Sequence, residues 1–130
     1  MQKTDLQTLL RVVHTMEQKY TRVETLRELA GSEETYLLIM REIDRVKDQV
    51  ARARALGVAA TLNVIDWFTI LDRYAWKCAY CQSGPFQVMS HQIPQAVGGT
   101  TPENCVPACH RCIFKRRTRT QTRRTPRASA

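Results

Sequence analysis

Apolar positions recur every three or four residues through the first half of the chain. Beyond residue 77 that rhythm gives way to short apolar runs between turn residues. Leu6, Leu9, Leu10, Val13, Met16, Tyr20, Val23 and Leu26 make one stripe. It predicts a helix from an N-cap at Thr4, with Gln7 as capping-box partner, to about Ala30. Gly31-Ser32 interrupts the pattern, and Ser32 can cap a second helix whose first turn carries Glu33 and Glu34. The second stripe passes through Leu38 or Ile39, Ile43, Val46, Val50 and Ala53 to about Leu56, and Gly57 suits the left-handed position after it. So short a break predicts an antiparallel helical hairpin over residues 1–57. Spacing near 3.5 residues suits pairing between helices, so a homodimer through the hairpin is one expectation. Packing of the hairpin as scaffold on the rest of the chain is the other.

Residues 58–62 read as a linker or short extended piece. Asn63 can cap a third helix, with Asp66 three residues on, and Trp67, Phe68, Leu71 and Trp76 are its expected core residues. Aromatic side chains could also stack on bases, but no basic residue is interleaved with these before Arg73. From Trp76 the pattern is turn, strand, loop, strand, helix. Trp76 to Cys81 and Ser83-Gly84-Pro85 are turns, and Phe86, Val88 and Met89 or Ser90 form a strand ending at His91. Gln92 to Gly99 is a loop, with Gly98-Gly99 expected as its most flexible point. Val106-Pro107-Ala108 is the second strand, and a short helix follows from Cys109 through Phe114 and Lys115. The fold class is α+β: a helical hairpin, a ββα domain over residues 58–117, and a tail over 118–130.

The chemistry lies in the second half. Cys78-Ala-Tyr-Cys81 and Cys109-His-Arg-Cys112 are two C-x-x-C pairs framing His91. Such a pair puts two thiolates on one ion, and two pairs complete a closed tetrahedral zinc shell. Redox thiols are the rival use of C-x-x-C, but those motifs come singly. Cys105 is the fifth cysteine; an odd count suits a disulfide framework poorly, and a small buried side chain is expected there. No apolar stretch reads as a signal peptide or membrane span, so the expectation is a cytoplasmic chain without a membrane partner.

The net charge of +8 is a property of the tail. Residues 1–77 carry 12 basic and 11 acidic side chains, whereas residues 115–127 carry seven Lys or Arg and no acid. Lys115, Arg116, Arg117 and Arg119 are therefore candidate contacts to nucleic acid phosphates, DNA in the first instance.

The order Cys78-x-x-Cys81, Ser90-His91-Gln92-Ile93-Pro94, Gly98-Gly99-Thr100, Glu103-Asn104, Val106-Pro107, Cys109-x-x-Cys112 resembles the zinc-bearing branch of the HNH (His-Asn-His) endonucleases. The resemblance spans about residues 64–117 and does not reach the helical hairpin. It implies that His91 is the general base that activates water for phosphodiester hydrolysis, and that Asn104 braces the loop and orients it. It also implies a second, catalytic divalent cation such as Mg²⁺, bound by the residue before the histidine and the residue after the last cysteine. Those positions hold Ser90 and Ile113. A neutral hydroxyl is a poor ligand for a hard dication, and isoleucine is none. His110, one turn before Ile113, is the candidate substitute ligand. Glu103, the only acid after residue 77, is expected to cap the last helix. Two functions follow: an HNH-type endonuclease working through His91 and Asn104, or a zinc-stabilised nucleic-acid-binding module with catalysis impaired.

Overall fold

The computed structural model describes residues 5–18 and 21–116. Its elements are helices α1 (Leu6–Met16), α2 (Val23–Ala30), α3 (Glu33–Ala55) and α4 (Val64–Arg73), strand β1 (Val88–His91), one-turn helix α5 (Gln95–Gly98) and strand β2 (Cys105–Ala108). A last helix, α6, occupies residues 110–116. The class is α+β. None of these helices is long and apolar enough to cross a membrane.

The expected first helix is two helices. α1 starts after Asp5 and stops at Met16, and α2 begins only at Val23. Thr4 lies outside the described residues. At the break the Thr15 carbonyl, which a continuing helix would use, accepts instead from the Thr21 hydroxyl at 3.0 Å and the Gln18 N–H at 3.1 Å. The apolar stripe that looks continuous therefore serves two surfaces. α1 buries Leu9, Val12 and Val13, packing on α2 and α4, while α2 buries Leu26 and Ala30.

The remaining helix ends follow the sequence closely. Gly31 closes α2 at φ +87°. Ser32 caps α3 by accepting from the Thr35 N–H at 3.1 Å, and Asn63 caps α4 by accepting from the Asp66 N–H at 2.8 Å. Gly57, at φ +74°, ends α3 with its N–H on the Arg54 carbonyl and the next N–H, of Val58, on the Ala53 carbonyl.

Leu9, Val12, Ile39, Trp67, Phe68 and Leu71 are fully buried at the junction of these helices. Each large apolar side chain buried there contributes about 1.5–3 kcal/mol. Trp67, Trp76 and Phe86 form an aromatic cluster with ring centroids 5.9–6.2 Å apart, which carries the core from α4 towards the cysteines. Among the described residues one charged group lies inside. Glu42 of α3 is 1% exposed and accepts from Trp67 Nε1 at 2.9 Å and from Arg45 Nε at 2.8 Å. Arg45 in turn donates to the Gln87 carbonyl at 3.1 Å and stands 5.5 Å over the Phe86 ring. This chain of contacts ties the helices to the strand region.

The strands pair antiparallel, with Val88 opposite Ala108, Met89 opposite Pro107, Ser90 opposite Val106 and His91 opposite Cys105. Residues 58–62, read as a linker or short extended piece, are extended. Ala60 bridges Thr100 in parallel; Thr100 N–H donates to the Ala59 carbonyl at 2.8 Å, and the N–H groups of Thr61 and Leu62 both reach the Thr100 carbonyl. That clasp corrects the expectation for Gly98-Gly99. A Cβ on Gly99, at φ +74°, would lie 2.3 Å from the Ala59 carbonyl oxygen, and one on Gly98 would lie 2.8 Å from Asn104 Nδ2. The two glycines are there for close approach, not for mobility.

Candidate metal centre and the surrounding hairpin

The first cysteine pair is shaped by backbone that few residues adopt. Ala75 and Trp76 leave α4 at φ +56° and +61°, and Gln82 sits at φ +58°. Lys77 then bridges Pro85 antiparallel, Cys78 N–H donates to the Gly84 carbonyl at 3.0 Å, and Gln82 N–H donates to the Cys78 carbonyl at 2.9 Å. This knuckle is joined to β2 by the Ala79 N–H on the Pro107 carbonyl at 2.8 Å. The second pair stands at the start of α6, where Ile113 N–H donates to the Cys109 carbonyl. The first N–H of α6, from His110, is capped by Gln87 Oε1 at 2.9 Å. Glu103, expected in that role, lies exposed in the turn before β2.

All four sulfur atoms, of Cys78, Cys81, Cys109 and Cys112, lie within 4.8 Å of one another, and Cys81 and Cys109 are 4.0 Å apart. A tetrahedral shell with Zn–S bonds of about 2.3 Å has edges of about 3.8 Å, so a small contraction closes these sulfurs on one ion. Their acid–base chemistry argues for the same thing. The Ser83 hydroxyl, donating at 3.3 Å, and neighbouring backbone N–H groups hold the Cys81 thiol at about 5. Burial and the sulfurs of Cys109, Cys78 and Cys81 push Cys112 up to about 12. Four sulfurs this close cannot all ionise unaided, and a soft dication removes the conflict. The four cysteines thus fit a metal ion such as zinc. Among the described residues they are the one cluster of three or more His, Cys, Asp or Glu side chains placed to share an ion. Cys105 stands apart, 1% exposed, with burial raising its thiol to about 11.

His91 and Asn104 are not brought to the sulfurs; they sit at the far end of the hairpin. Asn104 uses its whole amide on the loop: Oδ1 accepts from the Ile93 N–H at 2.7 Å, and Nδ2 donates to the carbonyls of Ile93 at 2.9 Å and Gly99 at 2.8 Å. His91 Nε2 lies 3.0 Å from the Thr100 hydroxyl. Thr100 is fully buried; it accepts from Gln95 Nε2 at 2.8 Å and has the Gln49 carbonyl of α3 at 3.3 Å. Burial, and then the charge of Arg52, lower the His91 pKa, which favours the neutral imidazole.

Ser90 is buried, its hydroxyl 3.0 Å from the Tyr80 hydroxyl. Ile113 lines a groove of about 520 Å³ with Arg45, Gln49, Val88, Met89 and His110. Lys115 is exposed and, with Arg111, lines a shallow hollow beside Cys81, Cys109 and Cys112. A zinc ion held there by four thiolates would carry a net charge of about −2, which these two cations would partly offset. Arg116 is half-buried. Its guanidinium stands 4.4 Å over the Tyr80 ring and donates to the Gln92 carbonyl at 3.2 Å, latching α6 to the hairpin. Arg117 and Arg119 lie outside the described residues.

Several residues that build this region carry no motif of their own. Thr100, Gln95 and Gln49 surround His91, Tyr80 holds Ser90 and Arg116, and Gln87 caps α6. Only Thr100 had a local signal, its place directly after Gly98-Gly99. The chain matches no family model, no curated protein and no solved structure.

Proposed function

We propose that this chain binds nucleic acid, DNA in the first instance, through a zinc-stapled ββα unit of HNH type whose last helix and basic extension lie along the phosphates. The fixing of α6 carries the proposal. The cysteine cluster sets where α6 begins, and Arg116, stacked on Tyr80 and bonded to Gln92, sets where its described part ends. Lys115 and Arg116, the first two of the seven cations in residues 115–127, therefore stand at a defined point beside the hairpin. Each phosphate contact they make adds about 0.9 to the salt slope of duplex binding.

The surroundings of the second cation position support binding over hydrolysis. The Ser90 hydroxyl is engaged by Tyr80 within the fold, and Ile113 presents only hydrocarbon. Hydrolysis is kept as a second proposal on the placement of His91, where burial and Arg52 lower its pKa and so favour the neutral imidazole a general base requires.

Supercoiled plasmid with Mg²⁺, Mn²⁺ or Ni²⁺, treated in parallel with the protein and with His91→Ala, separates the two. The expected result is salt-sensitive DNA binding without nicking. Nicking by the wild-type protein that disappears in His91→Ala establishes the nuclease instead. Absence of binding to any nucleic acid overturns the proposal.

A further inference from the structure

One seam of α3 is left uncovered. Ile43, Val46, Lys47, Val50, Ala51 and Arg54 recur at i, i+3, i+4, i+7, i+8 and i+11, a continuous face of the helix. This face lines a cleft of about 590 Å³. α1 packs on α2 and α4, and α3 packs on the same two helices; the cleft runs between α1 and α3. Val13, Met16 and Glu17 line it from the end of α1, and Leu62, Val64 and Ile65 from the start of α4. Val13, Ile43, Val46 and Leu62 are buried and make its floor, whereas Met16, Val50 and Val64 are half-buried and Ile65 is 37% exposed. The walls are held apart. Asn63 fixes the start of α4 by accepting from the Asp66 N–H, and the N–H groups of Thr61 and Leu62 are fastened to the Thr100 carbonyl. From Ile43 to Arg54 the groove follows α3 for about 16 Å, three turns of helix. An alkyl chain in so open a groove stays half in water. An amphipathic helix seals it by setting apolar anchors at i, i+4 and i+7 into the floor.

The charges on the lips indicate which helix. Lys47 and Arg54 stand on the α3 lip, two turns and about 10 Å apart. Both are exposed, and neither has an ion-pair partner among the described residues. The one acid lining the cleft is Glu17, on the α1 side. A helix lying along α3 meets both cations if it carries two acids seven residues apart. This chain offers no such helix: in none of its described helices are two Asp or Glu residues seven apart. Its basic extension, with seven cations and no acid over residues 115–127, would bring like charge to Lys47 and Arg54. The occupant therefore comes from another protein.

We infer that the cleft between α1 and α3 receives an amphipathic helix of a partner protein, its apolar anchors against Val46 and Val50 and two acidic residues, seven apart, on Lys47 and Arg54. The inference stands apart from the nucleic-acid reading, since no residue after Ile65 takes part in it. Charges at the rim of such a site choose the partner and its orientation more than they tighten it, and Glu17 turns the acidic edge of that helix towards α3.

The test titrates the full chain into a labelled synthetic peptide of about 16 residues, with leucines at i, i+4 and i+7 and two glutamates seven apart, followed by anisotropy. A second peptide has lysines in place of the glutamates. The wild-type protein is expected to bind the acidic peptide about tenfold more tightly than the basic one. Ala51→Trp, which fills the groove from an exposed position, is expected to abolish binding, with the fold checked by circular dichroism. Lys47→Glu/Arg54→Glu is expected to reverse the preference between the peptides. Equal binding of both peptides by the wild-type protein, or binding of neither, overturns the inference. Acidic-peptide binding that survives Ala51→Trp belongs to the basic extension and overturns it as well. A particle mass by light scattering that halves in Ala51→Trp assigns the cleft to a second copy of this chain, with the same consequence.

Discussion

At Gly99 two constraints coincide, a left-handed backbone at φ +74° and a carbonyl oxygen 2.3 Å from where a Cβ would stand. Gly84 has neither: nothing lies within 4 Å of its added Cβ. Gly99→Ala is expected to lower stability by about 3 kcal/mol, and Gly84→Ala by less than about 0.5 kcal/mol, measured as paired urea unfolding curves. Equal effects would show that the Ala59 contact is not rigid. His91 carries a second prediction. Burial and Arg52 depress its folded pKa below the unfolded value of about 6.5, so the unfolded chain binds more protons at mildly acidic pH. Stability is therefore expected to be full above about pH 7 and to decline as the pH falls through 6.5 towards the folded pKa. The His91→Gln variant should lack this decline between pH 7 and 5; an identical decline in both proteins places the titration elsewhere. The imidazole itself was legible in sequence from the Ser90-His91-Gln92-Ile93-Pro94 run. Its setting was not, because Thr100 lies nine residues away and Gln49 forty-two, and neither distance follows from a local pattern.

Element ends were the most readable level, since a cap is a contact over three residues. Ser32 and Asn63 accept from the N–H groups three positions on, and Gly31 and Gly57 adopt the left-handed conformation that ends a helix. The failure in the same region has a physical cause. An amphipathic stripe reports that a face is buried, not that one uninterrupted helix buries it, and the Thr21 hydroxyl takes the Thr15 carbonyl at the break without disturbing the stripe. Glu42 was missed for the opposite reason. A carboxylate reads as solvent-facing, and only the fold brings Trp67 Nε1 and Arg45 to it. The cysteine elements lead to a prediction about metal. Around Cys78–Cys81 and Cys109–Cys112 the backbone is turns and a four-residue strand pair whose buried side chains, Trp76 and Met89 among them, join the core on one side only, whereas the helices bury Leu9, Val12, Ile39, Phe68 and Leu71 against one another. Prolonged chelation is expected to release about one zinc per chain and to expose the residues from 75 to 116 to exchange, while most far-ultraviolet helical signal persists. Folded protein carrying no metal would exclude the zinc assignment.

On the scale of the molecule, the sequence divided the chain at residue 57, and the contacts cross that line repeatedly. Arg45 reaches Gln87, Gln49 reaches Gln95 and Thr100, and Glu42 reaches Trp67. The stripes read as suited to pairing also pack within this chain: Leu9, Val13, Ile39 and Val46 lie in its core. What composition could say about the whole, a charge concentrated after residue 114, stands independently of the fold, because it needs no contact to be read.

The parallel clasp between residues 59–62 and Thr100 has a consequence in time. During synthesis α1 to α4 can settle as soon as residue 74 is clear of the ribosome, but Thr61 and Leu62 must wait for an acceptor some forty residues further on. The clasp is then the closing stitch of the molecule, and a closing stitch is where a fold first comes undone. In native-state hydrogen exchange, the amides of Thr61, Leu62 and Thr100 should open together with those of Ile93 and Ala79, and at lower free energy than the amides of α3. Exchange of Thr61 and Leu62 in step with α3 would show the clasp to belong to the helices. If the stitch opens as one, His91 is released from Thr100 in the same event, so local breathing of the native chain sets how often that imidazole meets solvent.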